Sequence, residues 1–115
     1  MDFRTTLRTT DNLGVMHHAD AMMMLGSCFS DNIGGKLRGA MMNVAINPFG
    51  ALYNPYSIAS SVERIIANEP VRGLDLFQGS GVWNSYDFHS RHSLADKDVT
   101  LRRMNEHIAM AHAHL

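Results

Sequence analysis

Apolar residues in this chain come in two kinds of block: short runs closed by small residues, and longer stretches in which they recur every three or four positions. Ala21-Met22-Met23-Met24-Leu25 is of the first kind and ends at Gly26-Ser27; an apolar run bounded by turn residues predicts a buried strand. From Phe29 onward the second kind takes over. Phe29, Ile33, Leu37 and Met41 lie four apart, which predicts one face of a helix from about Ser30 to Ala40, with Gly39 near its end as the stop. Gly34 and Gly35 inside it each cost about 1 kcal/mol of helix propensity against Ala. They imply either close packing on a sheet or a late helix start.

Asn43-Val44-Ala45-Ile46 reads as a second short strand, with Asn47-Pro48-Phe49-Gly50 in the loop at its carboxyl end. A strand, helix, strand order implies a right-handed parallel crossover, so the two loops should lie side by side at one edge of the sheet, where open α/β folds bind ligands. Asn54-Pro55 is a helix start, Asn capping and Pro occupying the first position. Ile58, Val62, Ile65 and Ile66 form the stripe that follows, and Asn68 to Pro70 ends it. Leu74 to Phe77 and Val82 to Phe88, around Gly79-Ser80-Gly81, fit a hairpin or an irregular loop. Ser93-Leu94-Ala95-Asp96 has the form of a capping box, ahead of a third helix marked by Leu101, Met104, Ile108, Ala111 and Leu115. At the amino end, Phe3, Thr5 and Leu7 alternate with polar neighbours as a short edge strand would, and Asp11 to Gly14 should turn the chain.

Composition narrows the class. The chain has 115 residues and a formal net charge of -1, with 45% hydrophobic and 18% charged residues, as expected of one soluble globular domain. No block of Lys and Arg is present to neutralise phosphates, so neither nucleic acid nor an anionic membrane is an expected partner. A single cysteine excludes an intrachain disulfide and fits a reducing compartment. The amino end lacks an apolar signal region, so a cytoplasmic location is expected. The nine methionines read as core gap-fillers.

Candidate chemistry centres on Ser27 and Cys28, which the strand delivers to a helix N-terminus, where free N–H groups and the positive dipole end favour an anion. That setting also favours a thiolate, an intrinsically strong nucleophile. The alternative for Cys28 is packing as a small hydrophobe between strand and helix. His17 and His18 read as solvated loop residues, and His107, His112 and His114 as the polar face of the third helix. His89 and His92 are spaced for a helical turn but supply only two ligands, so no metal and no cofactor is expected.

Leu25-Gly26-Ser27-Cys28-Phe29-Ser30 resembles the signature of the GSCFA family, with Ser30 where the family usually has Ala. Asn47-Pro48-Phe49-Gly50, Leu52-Tyr53-Asn54-Pro55, Ser57-Ile58, Trp83 and Phe88-His89-Ser90 continue the resemblance in order. It implies a place among the SGNH, or GDSL-like, hydrolases: a partial flavodoxin-like, three-layer α/β/α fold with a short parallel sheet, and ester hydrolysis or acyl transfer on an unspecified acylated substrate. Laid on Gly-Asp-Ser-Leu, the motif puts Cys28 in the nucleophile slot and Ser27 in place of the Asp. The resemblance further implies Gly26, Asn47 and Gly50 as substrate-binding residues, Asn47 and Gly50 at the oxyanion, and His89 as the local candidate base. The competing reading of the same turn is a non-catalytic anion-binding or interaction module. Family members carry later Gly-Thr and His blocks, so the chain is expected to be the amino-terminal part of a single domain, inactive alone and self-associating through an exposed sheet edge.

Overall fold

The computed structural model describes Phe3, Thr5, Thr6 and residues 14–115. The edge strand expected over 3–7 and the turn over 11–14 fall largely outside them. Seven regular elements follow in order: β1 (Ala21–Met24), α1 (Cys28–Gly39), β2 (Asn43–Ile46), α2 (Pro55–Ala67), β3 (Leu76–Gly79), β4 (Val82–Ser85) and α3 (Lys97–His114). Single 3₁₀ turns occupy Gly73–Asp75 and Ser90–His92.

β1 and β2 pair in parallel, with Met22 opposite Val44 and Met24 opposite Ile46, as the two apolar runs predict. Side chains alternate across a strand, so Met24 and Ile46 share one face while Met23 and Ala45 share the other. α1 lies on the Ile46 face, against Gly34. Met23 and Leu25 instead pack into the main core, which Phe49, Leu52, Ile65, Val71, Leu76, Phe88, Met104, Ile108 and Ala111 build. Helices therefore cover both faces of this short parallel sheet, a mixed α/β arrangement. β3 and β4 form the hairpin, closed by Ser80 and Gly81 at φ 53° and 76°; two consecutive positive φ values suit the twist of a two-residue hairpin.

Several boundaries differ from the expectation for identifiable reasons. α1 starts at Cys28 rather than Ser30 because Ser27 caps it, its side chain accepting from the Phe29 N–H. Its stop is Met41 in the left-handed region at φ 65°, with the Met42 N–H returned to the Leu37 carbonyl, and Gly39 is simply the last helical residue. The stripe of Phe29, Ile33, Leu37 and Met41 packs only in part: Ile33 and Leu37 are half-buried, but Phe29 is 68% and Met41 85% exposed. The buried positions are Ser30 and Gly34, one turn apart, because the helix backbone comes so close to β2 that a Cβ at Gly34 would stand 2.8 Å from Ile46 Cγ1. Close packing, not a late start, explains that glycine.

α2 is capped as expected, Asn54 accepting from the Ser57 N–H, and ends at left-handed Asn68. The cap of α3 is Asp96, which accepts from the Val99 N–H, rather than Ser93, whose hydroxyl is turned to Asn84 Oδ1 at 2.7 Å. The histidines at the end of α3 do more than form its polar face, although His112 is exposed. His112 Nδ1 lies 3.0 Å from the Ile65 carbonyl oxygen and His114 Nε2 2.8 Å from that of Met22, fastening α3 to α2 and β1. His17 and His18 do lie in an exposed turn. Among the described residues no helix is long and apolar enough to cross a membrane.

The two adjacent glycines of α1 allow a controlled test of close packing. Nothing lies within 4 Å of a Cβ added at Gly35, so Gly35→Ala should stabilise the fold by up to about 1 kcal/mol through helix propensity. Gly34→Ala gains the same propensity but meets Ile46, at an overpacking cost of about 1–3 kcal/mol. Urea denaturation should therefore place Gly34→Ala below Gly35→Ala by about that amount; equal stabilities would contradict the packing assigned here.

Candidate functional site

The site forms where β1 and β2 end side by side. Gly26 leaves β1 at φ 144°, and a Cβ there would come within 2.7 Å of Ser30 Oγ, whose hydroxyl donates to the Leu25 carbonyl at 3.1 Å. Glycine is thus required twice, for the backbone angle and for the room. Ser27 follows as the cap of α1, its Oγ 3.3 Å from the Phe29 nitrogen. Cys28 is the first residue of the helix, with a free, exposed thiol, so it is not the packed small hydrophobe of the alternative reading. Among the described residues the Ser27 and Cys28 amides find no acceptor in the protein, as the first N–H groups of a helix do not.

Asn47 joins the two strand ends. Its N–H donates to the Met24 carbonyl at 2.8 Å, extending the parallel ladder by one residue. Its side chain, 1% exposed, then turns across to the neighbouring loop. Oδ1 accepts from the Gly26 N–H at 2.9 Å, and Nδ2 donates to Asp31 Oδ1 at 2.7 Å and to the Ser27 carbonyl at 3.4 Å. One buried carboxamide therefore holds the exit of β1, the cap residue and the first turn of α1. A left-handed φ of 39° aims it there, a conformation that Asn tolerates better than most residues. The side chain does not fold back on its own loop.

The loop after Asn47 is anchored from two further sides. Leu52 donates its N–H to the Gly26 carbonyl at 2.8 Å, and Phe49, fully buried, packs on Phe88 with ring centroids 4.3 Å apart. The His89 N–H donates to the Phe49 carbonyl at 2.8 Å. Gly50 lies directly beneath, at φ 84°, where a Cβ would sit 2.4 Å from His89 Cβ. Its own N–H is used within the turn, donated to the Asn47 carbonyl at 2.8 Å.

Of the residues singled out in the sequence, Gly26, Ser27, Cys28 and Asn47 are brought into one assembly. Gly50 and His89 form a second contact, in the loop that follows Asn47. His89 makes no hydrogen bond to Ser27 or Cys28. Its Nδ1 accepts from the Arg91 N–H at 3.1 Å, which assigns the neutral ring's proton to Nε2, so the ring presents a donor rather than a base. Among the described residues no group of three His, Cys, Asp or Glu side chains converges on a point.

Two participants escaped the sequence reading. Asp31 reads in sequence as an acidic residue complementing the helix dipole, and nothing local announces Asn47 as its partner. Arg91, whose Nη2 reaches the Asn47 carbonyl at 3.5 Å, reads as an ordinary surface cation.

Removing the carboxamide should have a predictable cost. Asn47→Gly keeps the left-handed backbone but strands the buried Gly26 N–H, a loss of about 1–3 kcal/mol. Asn47→Ala adds about 1 kcal/mol for a Cβ in the left-handed region. Chemical denaturation should rank wild type above Asn47→Gly and that above Asn47→Ala.

No curated protein and no solved structure matches the chain. The GSCFA family model, however, matches residues 21–115, a span that begins at β1 and takes in the Gly26-Ser27-Cys28 turn, the Asn47-Pro48-Phe49-Gly50 loop and the Phe88-His89-Ser90 segment just described. The chain belongs to the GSCFA family.

Proposed function

We propose that this chain carries the nucleophile end of an SGNH-type ester hydrolase or acyl transferase, with the Cys28 thiol as the attacking group. The observation that carries the reading is the exposed thiol on the first residue of α1, on a turn braced by the buried Asn47 carboxamide. In the reaction, the thiolate adds to an ester carbonyl, and the tetrahedral oxyanion collapses with loss of the alcohol to leave a thioester. Water or an acceptor hydroxyl then takes the acyl group. The unengaged Ser27 and Cys28 amides are the donors best placed for the oxyanion, since the Gly50 N–H is already committed to Asn47. Ser27 is the weaker nucleophile candidate, because its hydroxyl oxygen already serves as the helix cap.

On this reading the turn holds the nucleophile without a base of its own among the described residues. No imidazole among the described residues hydrogen bonds Ser27 or Cys28, and the His89 Nδ1 is occupied by the Arg91 N–H. A purely anion-binding role for the turn is less favoured. It gives the exposed thiol of Cys28 no part to play.

The purified chain should accordingly be acylated but not turn over. With p-nitrophenyl acetate, one acetyl group should appear on Cys28 by mass spectrometry, faster than on N-acetylcysteine. Sustained p-nitrophenol release should be absent, since general acid–base assistance is worth about 10²–10⁴-fold. Labelling that survives Cys28→Ala, or that is no faster than the free thiol, would refute the assignment. Robust turnover abolished by His89→Ala would instead place the base within the chain.

A further inference from the structure

His92 occupies an unusual position for a polar residue. Its ring stands edge-on between Phe88, centroids 5.4 Å apart at 76°, and His107 of α3, 4.8 Å apart at 78°. Nε2 is buried with no hydrogen-bond partner among the described residues. A neutral imidazole tolerates such a seat as a weakly polar aromatic, but an imidazolium would carry an N–H into a place with no acceptor. The charged groups around it would not help. α3 offers His107, and the turn itself offers Arg91 and His89. β4, which also packs on this turn, contributes Val82, Trp83, Asn84 and Ser85, none of them titratable. Of the two carboxylates nearest in sequence, Asp96 caps α3, accepting from the Val99 N–H at 2.9 Å, and Asp87 is paired with Arg64 at 3.0 Å.

The same turn holds one wall of the candidate site. Its cap residue His89 bonds Phe49 and covers Gly50, and Arg91 reaches the Asn47 carbonyl. We propose that the Ser90–His92 turn is an acid-labile latch: clasped to α3 through His92 and His107, it keeps His89 and Arg91 over Gly50 at neutral pH and releases them when His92 takes up a proton. Release would open the Gly50 backbone to solvent and free His89 Nδ1 from the Arg91 N–H. The latch is independent of whether Cys28 performs chemistry, and its test reads the turn alone.

Burial first, then His107, Arg91 and His89, lower the His92 pKa from 6.5 to about 4. A lowered histidine pKa means that the closed turn is fully favoured above about 6.5, and that the advantage is lost as pH falls toward 4. Nuclear magnetic resonance from pH 7.5 to 3.5 should find the His92 ring titrating near 4. The His89 and Gly50 amide resonances should shift with the same midpoint, while the far-ultraviolet circular dichroism of the helices persists. In His92→Phe, which keeps the stack and cannot be protonated, the part of the His89 and Gly50 amide shifts that follows the His92 midpoint should be absent. Should that variant fail to fold, His107→Gln serves: loss of one cation should move the His92 midpoint back toward 6.5, with the Gly50 resonance following it. The latch is overturned if His89 and Gly50 move alike in wild type and His92→Phe, if the His107→Gln midpoint is unchanged, or if the helices melt together with the turn.

Discussion

A single buried carboxamide carries much of the order at the sheet's edge. Asn47 directly follows β2, and its three side-chain hydrogen bonds run to Gly26, Ser27 and Asp31, groups 16 to 21 residues away. A buried amide of this kind is costly unless satisfied, so it admits only the arrangement in which the β1 exit, the α1 cap and the β2 exit lie together. The loop carrying Cys28 is thus held in place by a constraint rather than by a large apolar surface. That suits a reactive turn: backbone hydrogen bonds and one rigid side chain position the thiol while leaving it in solvent.

Close approach is the second recurring device. Gly34 lets α1 rest on Ile46, Gly26 makes room for Ser30, and Gly50 lies under His89. In each case the missing side chain brings backbone within reach of a neighbour, and in two of them the neighbour belongs to the candidate site. Methionine does less than composition suggested. Of those among the described residues, only Met104 is one of the fully buried large side chains, and Met22, Met23 and Met24 serve as half-buried strand residues.

Strand positions, the parallel pairing, the Asn54 cap and the hairpin were legible because each follows from a local pattern: an apolar run, a cap residue, a glycine in a two-residue turn. The α1 packing face was not. A period of four identifies an apolar stripe, but the sheet here is approached through Ser30 and Gly34, and the size of the gap to Ile46 is not written in either segment. The same holds for Asp31, His112 and His114, whose partners lie 16, 47 and 92 residues away and whose own neighbourhoods read as helix surface. Ser93 was misread for a related reason, since Asn84 across the hairpin outcompetes the nearby helix for its hydroxyl. The turn motif itself could be found in the sequence, whereas the clasp that orders it required the tertiary contact.

Amide hydrogen exchange at Gly26 tests that clasp most directly. Its N–H lies in a turn, outside any strand ladder, and is protected only by the Asn47 side chain. Exchange there should be as slow as that of the β1 and β2 ladder amides, through an opening that releases the whole turn. Exchange at the rate of an unprotected peptide, like that of the exposed Gly14, would contradict the clasp.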